Sequence, residues 1–268
     1  MYFCEIVADE NSFNGFSKLL HSEKFSDITF SVEGKKIPTH KAILAIRCEY
    51  FSTMFDSGLM KESKDNLVKL DVPMKEFNSI LEYIYTGYFK AHDEEEVLQV
   101  LSLSQEYLLT NLFKNIEEKL QPKITLENVF KIVKISKLLG LDSVFENGCK
   151  FINRNLITVL KSPRLNELTI KSWEYILDLH NEENTQRISE INIFSSMVKW
   201  TEQNGGNIDK DRIQIMFSKL RLDLMSVTDL ITTVRKLKIY DADFLMDAIE
   251  KKCSAYKTSC NYCGNPWK

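Results

Sequence analysis

The residues best suited to chemistry are four histidines, six cysteines and a few acidic runs, and their spacing assembles no reaction centre. His21, His40, His92 and His180 are dispersed, and none falls in an H-E-x-x-H pattern that would set two imidazoles on one metal. No G-x-S-x-G elbow is present to expose a serine, nor a G-x-x-x-x-G-K-[ST] loop to wrap a phosphate. Glu94-Glu95-Glu96 and Glu182-Glu183 read as helix starts or solvated faces, because carboxylates are stabilised at a helix amino end. The exception is Cys260-Asn-Tyr-Cys263-Gly, where two thiolates two residues apart can face one zinc ion. Cys253 supplies only a third ligand and no histidine lies nearby, so Cys253, Cys260 and Cys263 are weak metal candidates. The expectation is a frayed, reduced terminus, no cofactor and no enzyme activity.

The whole-chain composition points the same way. With 268 residues, 44% of them hydrophobic and 27% charged, and only nine Gly and five Pro, the chain is ordered, helix-rich and long enough for two domains. A net charge of −3 argues against a domain built to hold phosphate backbones, so no nucleic-acid partner is expected. No apolar run reaches the ~18 residues of a membrane span, and Glu5 and Asp9 stand where a signal peptide would carry basic residues. The expected location is the cytoplasm or nucleus, away from membranes, with six sparse cysteines left reduced.

The elements that would position any site begin with an alternating run. Ile28, Phe30 and Val32 alternate with Thr29 and Ser31 in a strand over Asp27–Val32, and Glu33-Gly34 turns it into a second strand, Lys36–Thr39. From His40 the period becomes helical through Ile43, Leu44, Phe51, Met54 and Phe55, until Ser57-Gly58 stops it. Leu67, Val68 and Leu70 make a third strand, and Pro73 opens a helix that buries Phe77, Ile80, Leu81 and Ile84. Ahead of the hairpin, Phe13, Phe16, Leu19 and Leu20 recur at helical spacing across 11–22. Further helices are read at 94–107 and 110–120, and Pro122 ends the pattern, which places a domain boundary at about residue 122. Beyond it the signals are helical: 128–139, Gly140 as a left-handed cap, 142–155, and weaker segments at 173–179, 188–204, 209–220 and 241–252. Trp173 and Trp200 read as core residues whose indole N–H groups find carbonyls.

Five pieces of the first half stand in a shared order: Ser26-Asp27-Ile28, Pro38 to Ala45, Tyr50-Phe51-Ser52-Thr53-Met54-Phe55, Met60-Lys61-Glu62-Ser63 and Tyr83-Ile84-Tyr85-Thr86-Gly87. Together they resemble the BTB (POZ) domains. Cys149-Lys150-Phe151-Ile152, Glu190 to Phe194 with Val198-Lys199-Trp200, and Leu220 to Ser226 resemble the BACK domain that follows BTB in many proteins. The resemblance implies an α+β fold in which a BTB domain, a small sheet flanked by helices, occupies 1–122. An all-α BACK domain would occupy 123–252, with a tail at 253–268.

What the family implies about sites is an interaction surface. The leading helix of such domains packs across a two-fold axis, so Phe13, Phe16, Leu19 and Leu20 are expected at a homodimer interface. Asp27 and Lys41 match a charged pair near that seam; a turn or cap hydrogen bond is the ordinary explanation for such an Asp, a structural ion pair the family's. Met60-Lys61-Glu62 fits the hydrophobic-x-Glu pattern of BTB proteins that recruit a cullin-3 type scaffold. Met60 would be an apolar knob with Glu62 beside it, or else Met60 folds back on its own domain. Tyr107 falls where an aromatic meets the same partner, or else closes the helical layer. The implied function is a dimeric substrate adaptor of a cullin-3 type ubiquitin ligase with an unknown protein substrate. The alternative is a BTB-mediated scaffold or transcriptional regulator that does not bind cullin.

Overall fold

The computed structural model describes residues 2–8, 15–56, 66–182 and 188–260, with backbone alone for 207 and 255–260. The chain divides into two compact units, Met1–Gly148 and Cys149–Lys268.

In the first unit, β2 (Ile28–Val32) and β3 (Lys35–Thr39) pair antiparallel, with Ile28 opposite Thr39 and Val32 opposite Lys35. Glu33 and Gly34 both take positive φ, 50° and 76°, the backbone of a two-residue turn matched to strand twist. β4 (Leu67–Leu70) lies parallel to β2 on its other edge, as a strand returning after a helical crossover must. A second, two-stranded sheet joins β1 (Cys4–Val7) to β5 (Tyr88–Ala91), antiparallel, with Cys4 opposite Ala91 and Val7 opposite Tyr88. Cys4 and Ile6 face inward and Glu5 outward. Four residues are too short to announce a strand, and this one forms because β5 offers it an edge.

Between β3 and β4 the expected single helix is two, α1 (Lys41–Arg47) and α2 (Glu49–Asp56). Cys48 sits extended between them at φ −143°, ψ 112°, and its thiol donates to the Tyr107 carbonyl at 3.2 Å. α3 (Met74–Thr86) ends on left-handed Gly87 and buries Phe77, Ile80, Leu81 and Ile84. α4 (Glu94–Glu106) starts on Asp93, whose carboxylate accepts from the Glu96 amide at 2.9 Å, while buried Glu96 accepts from the His92 amide at 3.0 Å. The acidic run is therefore a helix start, with Glu96 turned inward rather than solvated.

α5 (Thr110–Leu120) leads into a 3-10 turn, Gln121–Lys123, and α6 (Val129–Leu138) follows. By packing, the first unit extends to 148, because α6 lays Val129, Phe130, Ile132 and Val133 inward within it and packs on α4. Gly140 takes the left-handed turn, φ 71°, before α7 (Asp142–Arg154). The expected helix over 11–22 is not found in its described part: Gly15 at φ 93° admits only a 3-10 turn, Phe16–Leu19, before Leu20 becomes extended.

The second unit is helical: α8 (Leu156–Val159), a 3-10 turn at Pro163–Glu167, α9 (Ile170–Glu182), α10 (Glu190–Asn204) and α11 (Lys210–Ser218). α12 (Val227–Asp229), a π turn (Leu230–Val234), α13 (Arg235–Leu237) and α14 (Ala242–Cys260) complete it. Its core sets Trp173 against Trp200 at 6.4 Å and Phe194 against Phe217 at 5.7 Å, edge to face. Trp200 donates to the Leu168 carbonyl at 2.9 Å. Trp173 does not meet the expectation, since its buried indole nitrogen has no partner among the described residues.

His180 is buried, with its Nε2 3.3 Å from an oxygen of the buried Glu190. The Arg221 guanidinium reaches the same Glu190 oxygen at 2.8 Å through Nη2 and 3.0 Å through Nε. Burial alone would raise the Glu190 carboxyl, but the hydrogen bonds from His180 and Arg221 outweigh it and hold the group below its ordinary range.

Candidate interaction surface

The side chains that organise the first unit's surface sit where β3 meets α1. Tyr85, from α3, brings its hydroxyl to His40 twice, accepting from the His40 amide at 3.0 Å and contacting Nδ1 at 2.9 Å. His40 Nε2 lies 2.8 Å from the Lys24 carbonyl. A carbonyl can only accept, so Nε2 carries the proton and Nδ1 accepts from the tyrosine. Burial pushes the Tyr85 phenol up to about 12, which keeps it a neutral donor. His40 is thus structural, fastening the segment before β2 to the start of α1.

Asp27 completes that start. Its Oδ1 accepts from the Lys41 amide at 2.8 Å, while the Lys41 ammonium goes to Asn66 Oδ1 at 3.0 Å. The expected Asp27–Lys41 ion pair is replaced by a helix cap, because the first-turn amides of α1 have no intrahelical acceptor and the carboxylate supplies one.

Tyr107 is 1% exposed. Its ring packs on Tyr50 at 4.9 Å, Phe51 at 5.3 Å and Phe77 at 6.4 Å, and its hydroxyl is buried with no partner among the described residues. The structure therefore corrects the reading of Tyr107 as a surface aromatic: it closes an aromatic core around Phe51, and desolvation raises its phenol strongly. Met60 and Glu62, with Phe13, lie outside the described residues.

Of the expected dimer residues, Phe16 is exposed and Leu19 and Leu20 are half-buried on the turn that packs against α3. The Arg47 guanidinium lies 5.8 Å from the Phe16 ring. Arg47 also lines a cleft of about 150 Å³ with Leu108 and Asn111. The sequence reading missed the apolar residues beside these. Ile46 is 81% exposed and Leu108 49% exposed, the latter at φ 56°. Ile46 had a signal, since it falls off the buried stripe set by Ile43 and Leu44.

Three of the described thiols are shielded from solvent. Cys4, Cys48 and Cys149 are buried, and burial raises the first two thiols. Among the described residues no group of three or more His, Cys, Asp or Glu could hold a metal ion. Cys253 and Cys260, expected in a frayed tail, both lie within α14. Seven helical residues separate them by roughly 10 Å, too far for two ligands of one zinc ion. Cys263 lies outside the described residues. No helix among them is long and apolar enough to cross a membrane.

Two family models match. The BTB/POZ domain matches residues 16–124, and the BACK (BTB And C-terminal Kelch) domain matches residues 129–235. BTB/POZ domain-containing protein 9 of Drosophila melanogaster is 31% identical over 241 residues, 89% of this chain and 32% of that protein. Human Kelch-like protein 15 is 23% identical over 243 residues, 89% of this chain and 39% of that protein. The chain thus spans about a third of the length of these curated relatives. Among solved structures, the BTB domain of human gigaxonin aligns with 42% of this chain and 93% of its own at 24% identity and a TM-score of 0.34. With both models matched in order and covering most of its length, the chain belongs to the family of proteins in which a BTB/POZ domain is followed by a BACK domain.

Proposed function

We propose that this chain is a dimeric substrate adaptor of a cullin-3 type ubiquitin ligase, acting by protein–protein contact without catalysis, in the cytoplasm or nucleus. The observation that carries the reading is the BTB/POZ match followed directly by the BACK match, in a chain similar to a Kelch-like protein. Met60-Lys61-Glu62 supports it as the scaffold contact, the methionine a flexible apolar knob. Exposed Phe16, with half-buried Leu19 and Leu20 beside a turn that packs against α3, and exposed Ile46 support a homodimer, since apolar surface of this kind finds cover in a second copy. Two copies would present two scaffold arms and raise the effective concentration for a bivalent target.

Light scattering of the chain alone, and then mixed with the cullin-3 amino-terminal region, tests both parts. The expected result is a dimer that gains cullin mass, with Met60→Asp or Glu62→Lys losing the cullin and keeping the dimer. A one-subunit mass at high protein concentration refutes the dimer, and unchanged cullin binding in both variants refutes the contact. One observation favours the alternative, a BTB-mediated scaffold or transcriptional regulator that does not bind cullin: Tyr107, an expected contact residue, is buried. A dimer that gains no cullin at any concentration selects it.

A further inference from the structure

The second unit carries an open groove of about 660 Å³ between α10 and the segment of α8 and the 3-10 turn after it. One wall is a single stripe of α10. Asn192, Ser195, Ser196, Lys199 and Gln203 recur at helical spacing and turn hydrogen-bonding groups to the groove, with Ser189 just ahead. The facing wall is mixed: Ile157, Leu160, Pro163 and Leu165 are apolar, and Lys161, Ser162 and Asn166 add polar groups. Ile157, on α8, is 50% exposed, although the neighbouring Leu156 and Val159 are buried.

Charge sets this groove apart from the rest of the chain. Its fourteen described lining residues include two lysines and no aspartate or glutamate, in a protein of net charge −3. Of the acids on these elements, Glu167 and Glu190 are engaged elsewhere, while Glu202, three residues from Lys199 on α10, is exposed and lies outside the lining. Glu167 pairs with the Arg164 guanidinium at 2.5 and 2.9 Å, and Glu190 is buried against Arg221 and His180. Each wall therefore keeps one lysine with no carboxylate among the groove's lining. A half-open trough with apolar side chains on one wall, polar groups on both and a cation on each suits an extended chain better than a small molecule, whose sites are more enclosed and more apolar.

We propose that this groove docks an acidic, partly apolar segment of a partner protein, its carboxylates over Lys161 and Lys199 and its apolar side chains against Ile157 and Leu160. That the segment belongs to a target delivered for ubiquitination rests on the adaptor reading; the affinity for acidic chain does not.

The probe is a fluorescein-labelled nine-residue peptide of alternating Glu and Leu, followed by anisotropy with the full chain. The expected result is binding that weakens as salt rises and that a Lys-Leu peptide of the same length does not reproduce. The double variant K161E/K199E should bind the acidic peptide about tenfold or more weakly, since two exposed attractions become repulsions. Its melting curve and its cullin-3 binding should be those of the unaltered chain, so failure here and failure of the adaptor reading are separate results. Hydrogen exchange on the unaltered chain gives a readout that needs no variant, with peptide protecting amides of residues 189–203. Acidic peptide that does not bind at millimolar concentration, or binds K161E/K199E equally, overturns the proposal. So does loss of the dimer in K161E/K199E, which would make the groove a contact between copies.

Discussion

Replacing Tyr107 by Phe separates its structural role from a contact role. The variant keeps the ring against Tyr50, Phe51 and Phe77, at 4.9, 5.3 and 6.4 Å, and deletes only a hydroxyl that is buried without a partner among the described residues. A buried, unsatisfied hydroxyl costs about 1–3 kcal/mol, and the void left by one oxygen gives part of that back. Tyr107→Phe should therefore be neutral or more stable by about 1 kcal/mol, whereas Tyr107→Ala, which empties the aromatic cluster, should lose about 3–5 kcal/mol. Urea denaturation followed by far-ultraviolet circular dichroism measures both. Cullin-3 binding by Tyr107→Phe should match the unaltered chain if that binding occurs. A loss of more than about 1.5 kcal/mol in Tyr107→Phe would mean that the hydroxyl is satisfied and would refute the argument. Unchanged stability with binding lost would instead return Tyr107 to the contact surface.

Because Asp27 caps the Lys41 amide, Asp27→Ala should cost about 1 kcal/mol. Lys41→Ala keeps that amide, so the double-mutant cycle should give a coupling near zero, and a coupling above about 1 kcal/mol would restore the ion pair. Glu190 has a folded pKa below its ordinary 4.5, so the folded unit binds fewer protons than the unfolded one in that range. Its stabilisation is complete above pH 4.5 and is lost as pH falls through the lower, folded value. Tryptophan fluorescence from Trp173 and Trp200, in the same unit, should show Glu190→Gln less stable at neutral pH by roughly 3 kcal/mol, with the gap closing in acid; a constant gap would contradict the assignment. Gly148→Ala would set a Cβ 2.5 Å from Val133 Cγ2, so it should destabilise by about 1–3 kcal/mol. Val133→Ala in the same chain should recover part of that, and additive losses in the two melting curves would exclude the clash.

The elements legible in the sequence were those whose signal is local. The hairpin at Ile28–Thr39, the helix stripe of Phe77, Ile80, Leu81 and Ile84, and the Gly140 cap stand in the structure as read. The halves of α1 and α2 were merged because Cys48 falls within a continuous apolar period and only its extended backbone and its bond to the Tyr107 carbonyl part them. The interaction site was less legible. Periodicity says that an aromatic is apolar, but burial depends on what arrives from elsewhere in the chain.

By itself, the sequence determined the strand, turn and helix signals and carried the motifs whose resemblance pointed to BTB followed by BACK, because each is written in residues within a few positions of one another. Tertiary structure alone decided which polar groups act as caps, bridges or buried charges. Asp27 meets Lys41 through its amide, Tyr85 reaches back 45 residues to His40, and Glu190 gathers His180 and Arg221 from both directions of the chain. The reason is that a hydrogen bond is fixed by distances of about 3 Å between atoms, which spacing along the chain does not specify once the residues lie on different elements.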